Sequence, residues 1–362
     1  MLSILLGIAS IITVLWEAFE TIILPRRVRR RFRLTRLFYR GTWIPWSRLT
    51  RGIRSKQRKE TLLGFFGPLS LIGLLALWAV CLILGFSLLH YGMGSHVSAI
   101  DGLPSSFITD LYVSGTNFFT LGLGDVVPLT WPARALTVLE AGMGFAFLAI
   151  VIGYLPVIYQ AFSRREVFIS MLDARAGSPP TAIELLKRHA EDHALDGLDS
   201  LLRDWEHWSA ELLESHLSYP VVAYFRSQHD NQSWLAALTT ILDASALIMS
   251  GLKGQSTSQA RLTFAMARHT VVDLSQVFQT RPRHHGTSRL DAEDLSRLHA
   301  ALRAAGLYPE DPDGQRLARF RQMYEPYVET LAQYLQMKLP PWVIATSQKD
   351  NWQTTAWEQD RP

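Results

Sequence analysis

The sequence predicts an all-α membrane protein with three membrane helices, a short helix between the last two, and an all-helical cytoplasmic domain. Residues 2–24, 62–90 and 133–162 are long apolar stretches that hold two charged residues, none and two, respectively. Apolar runs of about 18 residues or more with so few charges are typical of helices that cross a bilayer. The C-terminal half shows helical spacing of apolar residues and no convincing alternating strand pattern.

The composition excludes several classes of protein. Of 362 residues, 48% are hydrophobic and 19% are charged, against about 25% charged in ordinary globular chains. A purely soluble enzyme, a secreted disulfide scaffold, a disordered chain and a fibre do not fit this balance. The one cysteine, Cys81, lies inside an apolar stretch, which excludes an intrachain disulfide and a cysteine-based zinc site.

Basic residues are concentrated in one predicted loop, residues 26–61. Residues 26–59 contain 14 Lys or Arg and no Asp or Glu, whereas residues 163–362 contain 21 basic and 25 acidic residues. Basic loops between spans stay cytoplasmic, so we expect an external N-terminus and a cytoplasmic C-terminal domain in the plasma membrane. The same charge predicts contact with anionic lipid headgroups. Nucleic-acid binding is disfavoured because the basic run is short and lies between two spans.

Residues 1–25 are interpreted as a retained membrane helix and not as a cleaved signal peptide. Signal peptides carry positive charge before the apolar run, whereas the basic residues here follow it, at Arg26 and Arg27. Glu17 and Glu20 precede those arginines closely, and we expect them to pair with Arg26 or Arg27.

A re-entrant loop is predicted between the second and third spans. Residues 105–119 form an amphipathic stretch too short to cross a bilayer, and Pro104 followed by serines is typical of a helix start. The sequence Thr-Leu-Gly-Leu-Gly-Asp follows at 120–125. Glycines at alternating positions can take positive φ, which lets successive carbonyls point the same way. Four copies around an axis would form oxygen rings that replace the hydration shell of a cation.

With these features, residues 62–162 resemble the potassium-channel pore family, whose filter reads Thr-Val-Gly-Tyr-Gly-Asp. The resemblance implies an outer helix (62–90), a pore helix (105–119), a filter (120–125) and an inner helix (133–162). It implies a homotetramer that conducts potassium passively, with no enzymatic step and no cofactor besides the ions. The implied ion ligands are the Thr120 hydroxyl and the carbonyls of Thr120, Leu121, Gly122 and Leu123, with Gly124 completing the outer mouth. Leu123 replaces the family tyrosine, so we expect weaker discrimination against sodium.

Asp125 matches the aspartate that closes the family motif and braces the filter. Some relatives pair it with a glutamate nine residues earlier, where this chain has Thr116, and others with an aromatic donor thirteen residues earlier, where it has Tyr112. We therefore expect a hydrogen bond from Tyr112 to Asp125. The alternative is that Asp125 meets only water at the mouth.

The last span supplies candidates for a gate. The resemblance implies a hinge at Gly144. At four-residue spacing, Glu140, Gly144, Leu148, Ile152 and Pro156 are expected to share one helix face. If that face lines a pore, Leu148 and Ile152 would form hydrophobic rings that close by dewetting, and Pro156 would kink the helix. The alternative is that these are ordinary packing residues.

Glu140 is an ionisable residue within a span and is therefore a functional candidate. Two roles are open: it raises the local cation concentration, or it bonds to the base of the pore helix. A buried, protonated carboxyl satisfied by Ser or Thr is the structural alternative.

The C-terminal half is predicted to be a linker (163–180), a helical domain (181–346) and a flexible tail (347–362). Helices are expected at about 181–192, 196–216, 232–252, 258–279, 291–305 and 314–338. Neither a Gly-X-Gly-X-X-Gly turn nor a P-loop occurs. Asp243 lies in an apolar helix and is expected to be buried with a partner.

Several histidine groups were weighed as metal or catalytic sites. They are His189 with Asp192 and His193, His207 with Glu211 and His216, the pair His284 and His285, and Arg268 and His269 with Asp273. None has the full ligand set of a zinc site, so solvated, capping or ion-paired histidines are the preferred interpretation.

Three functions are compared. The leading one is a homotetrameric potassium channel whose helical domain assembles the tetramer or senses a signal. The alternatives are a weakly selective cation channel and a non-conducting, membrane-anchored helical sensor or scaffold. A membrane-bound enzyme is disfavoured because no convincing catalytic cluster occurs.

Overall fold

The computed structural model describes residues 1–24, 33–95, 97–99, 106–191, 195–229, 231–253, 257–283, 288–344 and 349–353. They fall into two compact units. The first is Met1–Gly52 with Phe65–Gln160, and the second is Ile53–Gly64 with Ala161–Pro362.

The described residues are mostly helical, as predicted. The membrane half contains α1 (Leu2–Ala18) with a π-helical end (Phe19–Ile23), α2 (Leu34–Arg51), α3 (Lys56–Gly92), β1 (Val97–Ala99), α4 (Phe107–Phe118), β2 (Val126–Pro128) and α5 (Trp131–Ala176). The C-terminal half contains α6 (Ala182–Glu191), α7 (Leu195–Ser218), a 3-10 turn (Pro220–Tyr224), α8 (Trp234–Gly251), α9 (Ser258–Phe278), α10 (Ala292–Ala304), α11 (Gln315–Gln322), α12 (Glu325–Leu335) and a second 3-10 turn (Asn351–Gln353).

The first helix packs closely against α3 through small residues. A Cβ atom added to Gly7 would lie 2.6 Å from the carbonyl oxygen of Gly85, and one added to Gly92 would lie 2.5 Å from Ile4. The Ser10 hydroxyl donates to the carbonyl of Cys81 at 2.9 Å. Close backbone approach at small residues is a common way for membrane helices to associate. The helix that precedes the predicted pore unit is therefore docked on it.

The predicted basic loop is wrong over most of its length, because residues 34–51 form α2. The reason is visible in its sequence: residues 35, 39, 43, 47 and 50 recur at helical spacing and are buried. Trp43 packs edge-on against Phe66 of α3 with ring centroids 4.7 Å apart. The many arginines suggested a loop, and the helical spacing of the buried residues was overlooked.

The acidic residues of α1 reach the start of α2. Glu17 accepts hydrogen bonds from the backbone and the hydroxyl of Thr35, at 3.1 and 2.9 Å. Glu20 lies 3.6 Å from Arg33. The expected partners Arg26 and Arg27 lie outside the described residues.

The predicted linker at 163–180 is also wrong, because α5 continues without a break to Ala176. Its 46 residues span about 69 Å, more than twice the roughly 30 Å hydrocarbon thickness of a bilayer. The chain turns only after Gly177, whose φ of +82° is left-handed. The polar residues after Phe162 mark the end of the apolar span and not the end of the helix.

In the C-terminal unit, α8 is the central helix. All but two of its 18 residues are buried, and it packs against α6, α7, α9, α11 and α12. By length and hydropathy it is a fourth candidate membrane span among the described residues. A helix that is apolar all round suits the core of a helical domain equally well, and here its surface is covered by protein.

The helices expected in this unit begin and end within two residues of the observed ones, except for the last. The stretch 314–338 divides into α11 and α12 at Met323 and Tyr324. Part of the predicted flexible tail is packed, since Asp350 pairs with Arg188 at 2.8 Å. Residues 345–348 and 354–362 lie outside the described part of the chain.

Candidate functional site

The segment between α3 and α5 is a short helix followed by an extended return. Helix α4 begins at a Ser106 cap, whose hydroxyl accepts from the Thr109 N–H at 3.3 Å. The two flanks of the segment pair as antiparallel strands, with Ser98 opposite Val127. The sequence did not predict this pair, because three-residue strands leave too little pattern to read. The strand pair therefore brings residues 97–99 and 126–128, on either side of the segment, together.

Residues 120–125 have the backbone that the glycine pattern predicts. Thr120, Gly122 and Gly124 have φ of +56°, +55° and +77°, and Leu121 and Leu123 are not left-handed. A backbone that alternates in hand turns successive carbonyls toward the same side. A Cβ added to either glycine would meet nothing within 4 Å, so the left-handed φ, and not space, is what requires glycine there.

The start of this segment is tied to the end of α4. The Thr120 N–H donates to the Asn117 carbonyl at 2.9 Å, and the Leu121 N–H donates to the Thr116 carbonyl at 2.8 Å. These bonds use carbonyls of the last helical turn that would otherwise lack partners. Any displacement of the end of α4 therefore moves residues 120 and 121.

Asp125 makes the contact with Tyr112 that the family resemblance implies. The Tyr112 hydroxyl donates to Asp125 Oδ2 at 2.7 Å, and the Val126 N–H donates to Oδ1 at 3.1 Å. The Thr116 hydroxyl donates to the Val113 carbonyl of its own helix. Asp125 thus braces the far end of the segment against α4.

The predicted inner-helix face divides into two. Glu140 is fully buried, and a Cβ added to Gly144 would lie 1.8 Å from the Phe118 carbonyl oxygen. Leu148 and Ile152, by contrast, are 55% and 63% exposed. Residues four apart rotate by about 40° per step around an α-helix, because a turn holds 3.6 residues. The first two positions therefore pack on α4, while the next two lie on the open side.

Gly144, for which the resemblance implied a hinge, lies where α5 approaches the end of α4 closely. Pro156 is exposed within the unbroken α5. The open side of α5, which carries Leu148 and Ile152, has further exposed apolar residues: Val138, Phe145, Leu155 and Tyr159. The described chain leaves this side of α5 uncovered.

Glu140 faces polar groups of two other helices. Its Oε2 lies 3.7 Å from Nε2 of His90 on α3, with both side chains almost fully buried. Ser114 and Asn117 of α4 are close enough to interact with it electrostatically. Of the two roles left open for Glu140, the structure therefore brings it to the pore-helix side. His90 was missed, because a lone histidine at the end of an apolar span gives no pattern.

The histidine groups do not assemble into a metal site among the described residues. His189 bonds to the Leu185 carbonyl at 2.8 Å, and His269 pairs with Asp273 at 3.2 Å. His216 is buried beside Arg165. Asp192, His193, His284 and His285 lie outside the described residues.

A comparison with protein families gives a match in the same part of the chain. Residues 74–160 match a family model described as "Ion channel". This part of the chain is therefore similar to ion-channel domains. The match runs from α3 through α4 and residues 120–125 to α5, and so covers the whole candidate site.

Over a longer stretch, the chain is 23% identical to the "Uncharacterized membrane protein YdjJ" of Bacillus subtilis (strain 168). That alignment spans 238 residues, 65% of this chain and 68% of the relative. No solved structure matches significantly. The membrane character of the chain therefore rests on its apolar helices and on these two likenesses.

Proposed function

We propose that the protein is a homotetrameric potassium channel whose filter is formed by residues 120–124. The observation that carries the proposal is the left-handed backbone at Thr120, Gly122 and Gly124 directly after a short helix. That alternation aligns carbonyl oxygens, and a ring of such oxygens replaces the water around a cation. Conduction is passive, so no chemical step is involved.

Four subunits are needed because one chain supplies one filter segment. Residues 120–125 are all exposed in the single chain, as they must be if they face an axis. The uncovered side of α5, with Phe145, Leu148 and Ile152, supplies an apolar surface for the pore lining and for neighbouring subunits. In this arrangement Leu148 and Ile152 remain the gate candidates.

Potassium selectivity follows from the filter only if its width is held constant. The bond from Tyr112 to Asp125 and the bonds from Thr120 and Leu121 to α4 provide that support. Leu123 has no hydroxyl with which to tie the filter to the helix, so selectivity is expected to be weaker than for a tyrosine-containing filter.

The basic segment orients the channel. We infer that α2 lies at the cytoplasmic surface of the plasma membrane, with the C-terminal helical unit on the same side. Arg40, Arg48 and Arg51 are exposed on α2, and anionic lipid headgroups are their natural partners.

A flux experiment tests the channel. The purified full-length protein in liposomes is expected to release potassium along its gradient, and Gly122→Asp is expected to abolish that flux. An aspartate at φ +55° is strained and places a charge at the ion path. Gly64→Ala is the matched control, because Gly64 lies in α3 with nothing within 4 Å of an added Cβ. It should leave the flux unchanged.

Reversal potentials separate the alternatives. With potassium on one side and sodium on the other, a potassium-selective pore shifts the reversal potential toward the potassium equilibrium value. A zero shift on exchanging the cations would leave a non-selective channel. No flux under any gradient, from a protein that is assembled and folded, would contradict the channel and favour a sensor or scaffold.

A further inference from the structure

Three titratable side chains meet where α3, α4 and α5 adjoin. They are His90 of α3, Asp110 of α4 and Glu140 of α5. Glu140 Oε2 lies 3.7 Å from His90 Nε2, with 0% and 1% of the two side chains exposed. Asp110 is 0% exposed and accepts a hydrogen bond from the Ser95 hydroxyl at 2.6 Å. His90 acts electrostatically on both acids.

Many polar atoms of this cluster lack partners. In the described part of the chain, no hydrogen-bond partner is found for seven of its buried atoms: both ring nitrogens of His90, both carboxylate oxygens of Glu140, Oδ1 of Asp110, Oγ of Ser114 and Nδ2 of Asn117. Buried polar groups are otherwise almost always bonded, and a concentration of exceptions indicates that something else binds there. Protons and ordered water are the ligands that such a group of atoms can take.

The charge of the cluster depends on its protons. Two carboxylates and one imidazole carry no net charge when they share two protons, and each proton fewer adds a negative charge that is costly to bury. The other groups that face them, Ser95, Ser114 and Asn117, are neutral.

The cluster is joined to the predicted filter through α4. Asn117, whose side chain faces Glu140, uses its carbonyl to hold the Thr120 N–H at 2.9 Å. One turn after Glu140, Gly144 contacts the Phe118 carbonyl. A change at Glu140 therefore acts on the helical turn from which the filter begins.

We propose that His90, Asp110 and Glu140 form a buried proton-binding site, and that adding a proton to it lowers conduction through the filter. This proposal rests on the channel function proposed above. Ser114 and Asn117, which act on Glu140, are the available donors to an ionised Glu140, and a protonated Glu140 has less acceptor capacity for them. Losing the negative charge also makes a cation in the filter less favourable. The loss of acceptor capacity and the loss of negative charge are therefore both expected to lower conduction.

The experiment measures potassium flux from liposomes with the same pH on both sides. Between about pH 8 and about pH 5, the range in which histidine clusters titrate, wild-type flux should fall on the order of tenfold. Glu140→Gln keeps the shape and removes the proton site, so its flux should be nearly independent of pH. His207→Gln is the control: His207 is exposed on α7, and its loss should preserve the wild-type response.

Every other outcome either overturns the proposal or is resolved by a second measurement. Flux that is independent of pH in the wild type overturns the proton site and leaves the channel standing, as does a wild-type response in Glu140→Gln. Absence of flux at every pH overturns both proposals. If Glu140→Gln yields no assembled protein, infrared difference spectra of the wild type decide. A protonated-carboxyl band rising with the midpoint of the flux loss supports the site, and its absence overturns it.

Discussion

At the scale of single residues, Thr120 has an unusual backbone conformation. It is β-branched and has a φ of +56°, a backbone that costs an L-residue roughly 1–2 kcal/mol. The bonds from Thr120 and Leu121 to carbonyls of α4 hold it there. Such strain persists only where the surroundings over-determine it, and it is concentrated at functional sites.

Tyr112 supplies the opposing support at Asp125. We expect Tyr112→Phe, which removes only the hydroxyl, to free the outer end of the filter segment and to raise sodium permeability relative to potassium severalfold. Reversal potentials in mixed sodium and potassium measure this ratio.

Tyr91→Phe is the matched control for that change. The Tyr91 ring packs edge-on against Phe107 at 5.8 Å, a contact that phenylalanine keeps. Equal permeability ratios in the two variants would mean that the bond to Asp125 does not support the filter.

At the scale of elements, α5 carries two surfaces with different tasks. One side packs on α4 through Glu140 and Gly144, and the other remains open along Leu148 and Ile152. The packed side fixes where the filter segment sits, and the open side is available to a pore or to other subunits.

Gly144→Ala tests the packed surface. The added methyl would overlap the Phe118 carbonyl, because its ideal position is 1.8 Å from that oxygen. We expect a loss of at least the about 1–3 kcal/mol that is typical of overpacking, seen as a lower thermal midpoint of the detergent-solubilised protein and reduced flux. Gly142→Ala, two residues away with nothing near an added Cβ, should be neutral or slightly stabilising. Similar losses in both would refute a packing role for Gly144.

The sequence predicted those elements that have long, periodic or chemically specific patterns. The three spans, the short helix and the glycine alternation could be read from the residues themselves, whereas the bond from Tyr112 to Asp125 was implied by the family resemblance. Helix α2 was not predicted because its arginines, together with the other basic residues of 26–59, suggested a loop. The continuation of α5 was not predicted because the sequence becomes polar after Phe162 while the helix continues. His90 and Glu140 meet through tertiary packing, and no local pattern encodes a meeting between residues 50 positions apart.

At the scale of the whole molecule, α5 supplies residues to both units. Its last turns lie in the core of the C-terminal unit, where Arg165 is fully buried and donates to the carbonyls of Val222 and Phe225, both at 2.9 Å. A buried guanidinium with backbone partners on a 3-10 turn holds the helix in one position. These bonds therefore contribute to the stability of the C-terminal unit.

That stability should fall in acid because of His216. Burial, together with the nearby Arg165 guanidinium, holds the pKa of His216 well below its ordinary value. Below about pH 6.5 the unfolded chain therefore binds a proton that the native state rejects, and stability is lost at up to about 1.4 kcal/mol per pH unit. Thermal unfolding of the full-length protein between about pH 7.5 and 5 measures this slope. We expect a flatter slope in His216→Gln, even if that variant is less stable at neutral pH through its weaker packing on Trp234.

The pKa of His299 is also lowered, by burial first and then by Arg303, but this residue is less buried. His299→Gln should therefore change the pH dependence of stability less than His216→Gln does. A larger change in His299→Gln would mean that His216, beside Arg165, is not the main source of the acid sensitivity.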